Sequence, residues 1–202
     1  MLKDVICKEG FEEKVNISHG NIYSDDYYLL KADITNISQV EERIKESKIN
    51  TENFTIFIAE CLLVYIKKSD TYEMLKSYTK MFKNILFLEY DLIGAFDPFG
   101  KEMIINLAER GISLSGYEDL PDEESHKNRY LETGFKFSEV VDCLEYYHHS
   151  ITKEEKKAIE HLEFMDEFEE FNLLMKHSCF GYGISANDDY ASVINRVYEL
   201  LP

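Results

Sequence analysis

Apolar positions along this chain come in short blocks, and the spacing inside the blocks changes between two periods. Phe54 to Ala59 is an unbroken, β-rich apolar run that ends at a carboxylate, Glu60. A run this short predicts a strand buried on both faces, as in a parallel sheet covered by helices. Tyr27 to Lys31 predicts an earlier strand that ends at Ala32-Asp33-Ile34. Between them, Ser38-Gln39-Val40-Glu41 has capping-box spacing and opens a short amphipathic helix through Val40 and Ile44. After Glu60, Lys67 to Asp70 opens a second helix. Tyr72, Leu75, Tyr78, Thr79 and Phe82 share one of its faces. Ile85 to Leu88 is the next buried strand, ending in Glu89-Tyr90-Asp91. A third helix begins with Asp97 as cap and Pro98 at its first position, and Gly111 stops it.

The second half is patterned more loosely. Pro121 to Thr133 predicts a polar helix closed by Gly134, and Phe135 to Tyr147 a strand with imperfect alternation. Thr152 to about His177 predicts one long helix. Ile159, Leu162, Phe164, Met165, Phe168, Phe171 and Leu174 would line its buried side. Cys179 to Ala186 is a last strand, and residues 187–202 are a terminal helix or tail. Residues 1–26 are polar, with His19-Gly20-Asn21 and Ser24-Asp25-Asp26 as loop punctuation. Strands alternating with helices argue an α/β fold with a doubly wound sheet, helices on both faces and one domain over residues 1–202.

Composition narrows the function. The 202 residues are 45% hydrophobic and 13% aromatic, enough to build a core. The formal net charge of −17 disfavours nucleic acid and anionic membrane surfaces, both of which need clustered Lys and Arg. No apolar run is long enough to span a bilayer, and the first residues lack the apolar centre of a signal peptide. These features predict a cytoplasmic protein. Cys7, Cys61, Cys143 and Cys179 form no C-x-x-C pair, so neither a zinc site nor a disulfide framework is expected. His148-His149 has no third ligand at metal-site spacing, and no metal is expected.

Three successive predicted strands end in acids: Asp33, Glu60, and Glu89 with Asp91. If the strands are parallel, these carboxylates line one edge of the sheet, where open α/β folds bind ligands. Ionised carboxylates only accept hydrogen bonds. They suit hydroxyls, an exocyclic amine or an ammonium, and not a phosphate-rich ligand. No G-x-G-x-x-G or G-x-x-x-x-G-K-[ST] loop is present. The alternative for each acid taken alone is a helix cap or a solvated loop.

Four segments resemble the leucine carboxyl methyltransferase family, in order, over roughly residues 27–186. They are Ala32-Asp33-Ile34 with Val40-Glu41-Glu42, and Ile58-Ala59-Glu60-Cys61-Leu62-Leu63-Val64-Tyr65. The others are Asp97-Pro98-Phe99-Gly100 ahead of Met103-Ile104-Ile105-Asn106-Leu107, and Leu162-Glu163-Phe164-Met165-Asp166-Glu167. Glu60 with Val64-Tyr65 is the most specific part. The resemblance implies a Rossmann-like fold that binds S-adenosylmethionine. It further implies methyl transfer to the C-terminal leucine carboxylate of the catalytic subunit of protein phosphatase type 2A. By position, Asp33 and Ile34 would hold the adenine, Glu60 would face the cofactor's ammonium, and Tyr65 would stand at the substrate end. The family's glycine-rich motif, the acid ending its second strand and its upstream basic residues are not found here. The N-terminal part of the family fold is therefore expected to be missing, and cofactor affinity with it. Two other readings compete: a related methyltransferase of a modified tRNA base or small molecule, and a non-catalytic phosphatase-binding remnant.

Overall fold

The computed structural model describes residues 16–18, 20–25, 27–162 and 166–198. The chain forms two compact units, residues 1–50 and 51–202.

In the first unit, β1 (Asn16–Ser18), β2 (Asn21–Tyr23) and β3 (Tyr28–Leu29) form an antiparallel meander in that order. Gly20, at a φ of 84°, makes the turn between β1 and β2. Helix α1 (Ile37–Glu46) follows. Its cap is Asn36, whose side chain accepts from the Gln39 N–H, rather than the expected Ser38. Asn caps as well as Ser does, and the turn at Asp33 to Asn36 delivers Asn36 to the cap position two residues earlier. The Tyr27 to Lys31 strand shrinks to two residues and pairs with β2, so it is not part of the sheet that carries Glu60.

The second unit is built on a mixed sheet in the order β4-β5-β7-β6. β4 (Phe54–Glu60) runs parallel to β5 (Asn84–Leu92), while β7 (Ser178–Ser185) is antiparallel to both β5 and β6 (Phe137–Asp142). The sheet is thus α/β but not wholly parallel, because β7 returns between β5 and β6. Helices cover both faces, as expected. On one face, Tyr78 of α2 (Lys68–Met81) and Phe82 just beyond it pack on Phe57. On the same face Tyr130 of α4 (Glu123–Glu132) packs on Phe87. Tyr130 also explains Gly183, where an added Cβ would lie 2.5 Å from the ring. On the other face, Val193, Ile194 and Val197 of α8 (Ala191–Tyr198) pack on Leu86, Tyr182 and Ile184.

Helix α3 (Pro98–Glu109) starts as expected, with Asp97 accepting from the Gly100 N–H at 2.8 Å. Met103, Ile104 and Leu107 close over Val64, Ala95, Leu114 and Tyr117. Gly111, at a φ of 75°, follows its end.

Several expectations fail in this unit. β5 does not end at Leu88; it continues through Glu89 and Asp91 to Leu92, because both acids are accommodated inside the core. The strand expected over Phe135 to Tyr147 stops at Asp142, whose side chain caps a helix, α5 (Cys143–His149). The long helix is two, α6 (Lys153–Leu162) and α7 (Phe168–Lys176), of which no described residue is buried. Its start is as expected, since Glu155 accepts from both the Thr152 N–H and the Thr152 hydroxyl at 2.8 Å. The apolar stripe, however, meets no sheet face: Leu162 is 86% exposed, and Ile159, Phe168 and Leu174 are exposed too. Phe164 and Met165 lie outside the described residues.

Candidate functional site

Strand β4 is an edge strand, and its side chains alternate between two environments. Ala59 points under the helices and is buried. Ile56, Ile58 and Glu60 point the other way and are exposed, Ile58 to 77%. This overturns the expectation of a strand buried on both faces. Ile58 pairs with Leu88 and Glu60 with Tyr90, and on the far side of β5 these face Tyr182 and Phe180. The result is a cleft of about 620 Å³ whose lining includes Ile58, Glu60, Leu88, Tyr90, Tyr146 and Phe180. It is mostly apolar and aromatic, with one carboxylate on its rim. Among the described residues the Glu60 side chain makes no hydrogen bond or ion pair. Sequence reasoning missed the aromatic lining, because Tyr146 was assigned to a strand and not to α5.

The chain turns sharply after Glu60. Cys61 takes a φ of 45°, a left-handed conformation that a non-glycine residue adopts only when its surroundings hold it there. Its N–H donates to the Tyr90 carbonyl at 2.8 Å, which ties the turn to β5. A single 3₁₀ turn, Leu63–Tyr65, follows. Its centre is held twice: the Val64 N–H donates to Asp91 Oδ2 at 3.0 Å, and the Val64 carbonyl accepts from the Gly116 N–H at 2.8 Å. Leu63 and Val64 are buried, while Tyr65 is exposed at the turn's end. Glu60 and Tyr65 are thereby joined by one pinned segment. The Cys61 thiol is pushed up by burial and by the charges of Asp91 and Glu60, which keeps it a poor nucleophile.

Asp33 and Ile34 belong to the first unit. Asp33 is exposed in the loop before α1, and Ile34 is half-buried. Asp33 Oδ1 accepts from the Thr35 N–H at 3.0 Å and the Thr35 hydroxyl at 2.8 Å, and these bonds lower its pKa. Its other oxygen has no partner among the described residues.

Glu89 is among the residues lining the cleft, but its carboxylate and that of Asp91 are not on the rim with Glu60. By register Glu89 lies opposite Ala59, so it points to the helix-covered face. There it pairs with Arg129 Nη2 and lies 3.1 Å from His126 Nδ1. Glu89 and Arg129 are only 3% and 1% exposed. His126 Nε2 completes the cluster against the Leu120 carbonyl at 3.1 Å. Burial alone would raise the Glu89 pKa, but the charges of Arg129 and His126 and their hydrogen bonds overcome it and hold Glu89 at about 2. Asp91 goes the other way. Burial, then the Glu89 charge, pushes it up to about 6, against the opposing pull of His126, the Leu92 N–H and Arg129. The sequence had a signal for this cluster. His126, Arg129 and Tyr130 share one face of α4, the pattern of a buried stripe once Arg and His are admitted to it.

This is an α/β unit with an acid-rimmed aromatic cleft beside a strand end, the place where open α/β sheets bind small ligands. Known relatives sharpen the class. The chain is 34% identical to leucine carboxyl methyltransferase 1 of Rattus norvegicus over 168 residues, which is 83% of this chain and 50% of that protein. It is 31% identical to a probable leucine carboxyl methyltransferase 1 of Caenorhabditis briggsae over 176 residues, 87% of this chain and 53% of that protein. It is also 30% identical to human tRNA wybutosine-synthesizing protein 4 over 154 residues, 76% of this chain and 22% of that one. Over the aligned stretch the chain is similar to leucine carboxyl methyltransferases, and it spans about half the length of the relatives that carry that name. No family model matches it. Among solved structures it is similar to phosphoethanolamine N-methyltransferase 2 of Haemonchus contortus in complex with S-adenosyl-L-methionine. That match has a TM-score of 0.38 and 16% identity over 72% of this chain and 40% of the other.

Proposed function

We propose that this chain carries part of an S-adenosylmethionine-dependent methyltransferase that methylates a protein C-terminal carboxylate. The acceptor we propose is the leucine carboxylate of the catalytic subunit of protein phosphatase type 2A. The observation that carries this reading is the unpaired Glu60 carboxylate on the rim of an aromatic cleft, in a chain aligned with leucine carboxyl methyltransferases. A free carboxylate fits the ammonium of the cofactor's amino-acid end. Asp33, through its uncommitted oxygen, and Ile34 are proposed for the adenine, and Tyr65 for the acceptor side. When bound, the cofactor supplies a methyl group on a sulfonium. The acceptor carboxylate is already ionised at neutral pH, so none of this chain's residues is needed as a base. Their work is to orient the two reactants and to keep water from between them.

The relationship to the wybutosine-synthesizing protein supports a second reading, a tRNA-modifying methyltransferase. The net charge of −17 counts against it.

The test is calorimetric titration of the 202-residue chain with S-adenosylhomocysteine, beside Asp33→Ala and Glu60→Ala. Micromolar binding that both substitutions abolish is the expected result. Absence of binding by a chain that is folded by circular dichroism would overturn the assignment for this chain.

A further inference from the structure

Asp91 is buried, 2% exposed, yet among the described residues it makes no ion pair. Such a group is costly to keep unless its oxygens are occupied. Both are. Oδ1 accepts from the Leu92 N–H at 3.0 Å, a local bond. Oδ2 reaches a segment 27 residues away in sequence and accepts from the Val64 N–H at 3.0 Å. That N–H lies at the centre of the turn that begins at Glu60 and ends at Tyr65.

The turn cannot hold itself. It contains a left-handed Cys61 and one 3₁₀ turn, each locally unfavourable or weak. Its exits from the sheet are fixed by three contacts: Cys61 to the Tyr90 carbonyl, Val64 to Asp91, and Gly116 to the Val64 carbonyl. Gly116 must be glycine for the last, since a Cβ there would lie 2.6 Å from the Leu63 carbonyl oxygen and 2.7 Å from that of Ile66. The first and last are backbone bonds. Asp91 supplies the one side chain among them.

We infer that Asp91 is a positioning residue: by holding the Val64 amide it fixes the Cys61 to Tyr65 turn, and so fixes where Glu60 and Tyr65 stand at the cleft. This rests on the proposed cofactor role of Glu60 for its functional half only; the hold on the turn stands on its own geometry. Asp91 touches neither the cleft nor any proposed ligand atom.

The inference carries a pH dependence. Asp91 is held at about 6, so it is ionised at pH 7.5 and protonated at pH 5. The groups that act on it are Glu89 on its own strand, and His126 and Arg129 on α4; Cys61 on the turn and Cys179 on β7 feel its charge in return. A protonated carboxyl is a weaker acceptor for the Val64 amide than the carboxylate.

The experiment is two-dimensional NMR of the ¹⁵N-labelled full chain from pH 5 to 8, with amide exchange, on wild type, Asp91→Asn and Asp91→Ala. In wild type the Val64 amide shift should titrate with a midpoint near 6, and in Asp91→Asn it should not. In Asp91→Ala the protection of Val64 and Tyr65 should fall by at least about tenfold while that of Ile85 to Leu88 is unchanged. That loss is what removal of a single hydrogen bond implies. Unchanged protection at Val64 in Asp91→Ala would overturn the inference. Asp91→Asn covers the case of an unfolded alanine variant, because a Val64 shift that titrates near 6 in that variant also overturns it. The same samples are then titrated with S-adenosylhomocysteine. A tenfold or greater loss of affinity in Asp91→Ala supports the functional half, and an unchanged affinity with a loosened turn overturns that half. If wild type binds no S-adenosylhomocysteine, the cofactor reading of Glu60 fails, and the exchange data still decide what Asp91 does.

Discussion

Glu60 and Glu89 sit on neighbouring parallel strands, one register position apart, and meet opposite fates. Glu89 points under α4 and is sealed in by Arg129 and His126. Glu60 points to the open side of an edge strand and is left alone beside apolar and aromatic groups. Alternation along a strand is enough to separate them. The acid that burial and its partners perturb is here the structural one, and the acid free to meet a ligand stands at the rim, unpaired among the described residues. A buried, strongly shifted carboxylate is a candidate for function only when its partner does not already account for the shift.

The comparison breaks most forcefully at Arg129. Arg129→Ala should leave Glu89 buried with only His126 beside it, at a cost of about 3–5 kcal/mol in unfolding free energy. Urea unfolding followed by circular dichroism measures it. A loss below about 1 kcal/mol would mean that the cluster is not what holds α4 to β5. Replacing both partners, Glu89→Leu with Arg129→Met, should recover a large part of the loss, since no charge is then left unpaired.

Stability against pH separates the two buried acids. Glu89 is held at about 2 in the fold, below its ordinary 4.5. Its contribution is therefore complete above about 4.5 and is lost as pH falls toward 2. Asp91 is held at about 6, above its ordinary 3.8. Its contribution has the reverse sign: it favours the fold below about 3.8 and is lost as pH rises through 6. Asp91→Asn should accordingly flatten the decline between about pH 4 and 6 by up to about 3 kcal/mol, at about 1.4 kcal/mol per pKa unit. Urea midpoints across that range check it, and an unaltered slope in the variant would sink the assignment.

The smallest effects should fall on the open side. Glu60→Gln and Ile58→Thr remove nothing that is packed or paired, so each should shift the unfolding free energy by no more than about 0.5 kcal/mol. Glu60→Gln should nonetheless abolish S-adenosylhomocysteine binding. A large stability change in either variant would show that this face is covered in solution.

Much of the architecture was legible in the pattern of the chain. Short apolar runs over residues 54–59, 85–88 and 179–186 marked the central strands, and Asp97-Pro98 and Thr152 to Glu155 marked two helix starts, because caps and buried runs are set by local chemistry. Glu60 was legible as well, since a charge ending an apolar run has few places to go. The rest depended on contacts distant in sequence. Whether β5 stops at an acid or swallows it was decided by Arg129, 40 residues away from Glu89. Asn36 over Ser38 as cap was decided by the turn before it. The helical stripe through Leu162 and Leu174 has the period of a core helix, yet these residues are exposed, because periodicity tells which face is apolar and not what meets it. The sequence by itself determined the α/β class, the central strands and the carboxylate that ends β4. Only the tertiary structure decided which acids are buried, which face of β4 is open, and that the turn between Glu60 and Tyr65 hangs on Asp91. Burial and pairing are properties of neighbours brought together from far along the chain, and local pattern does not encode them.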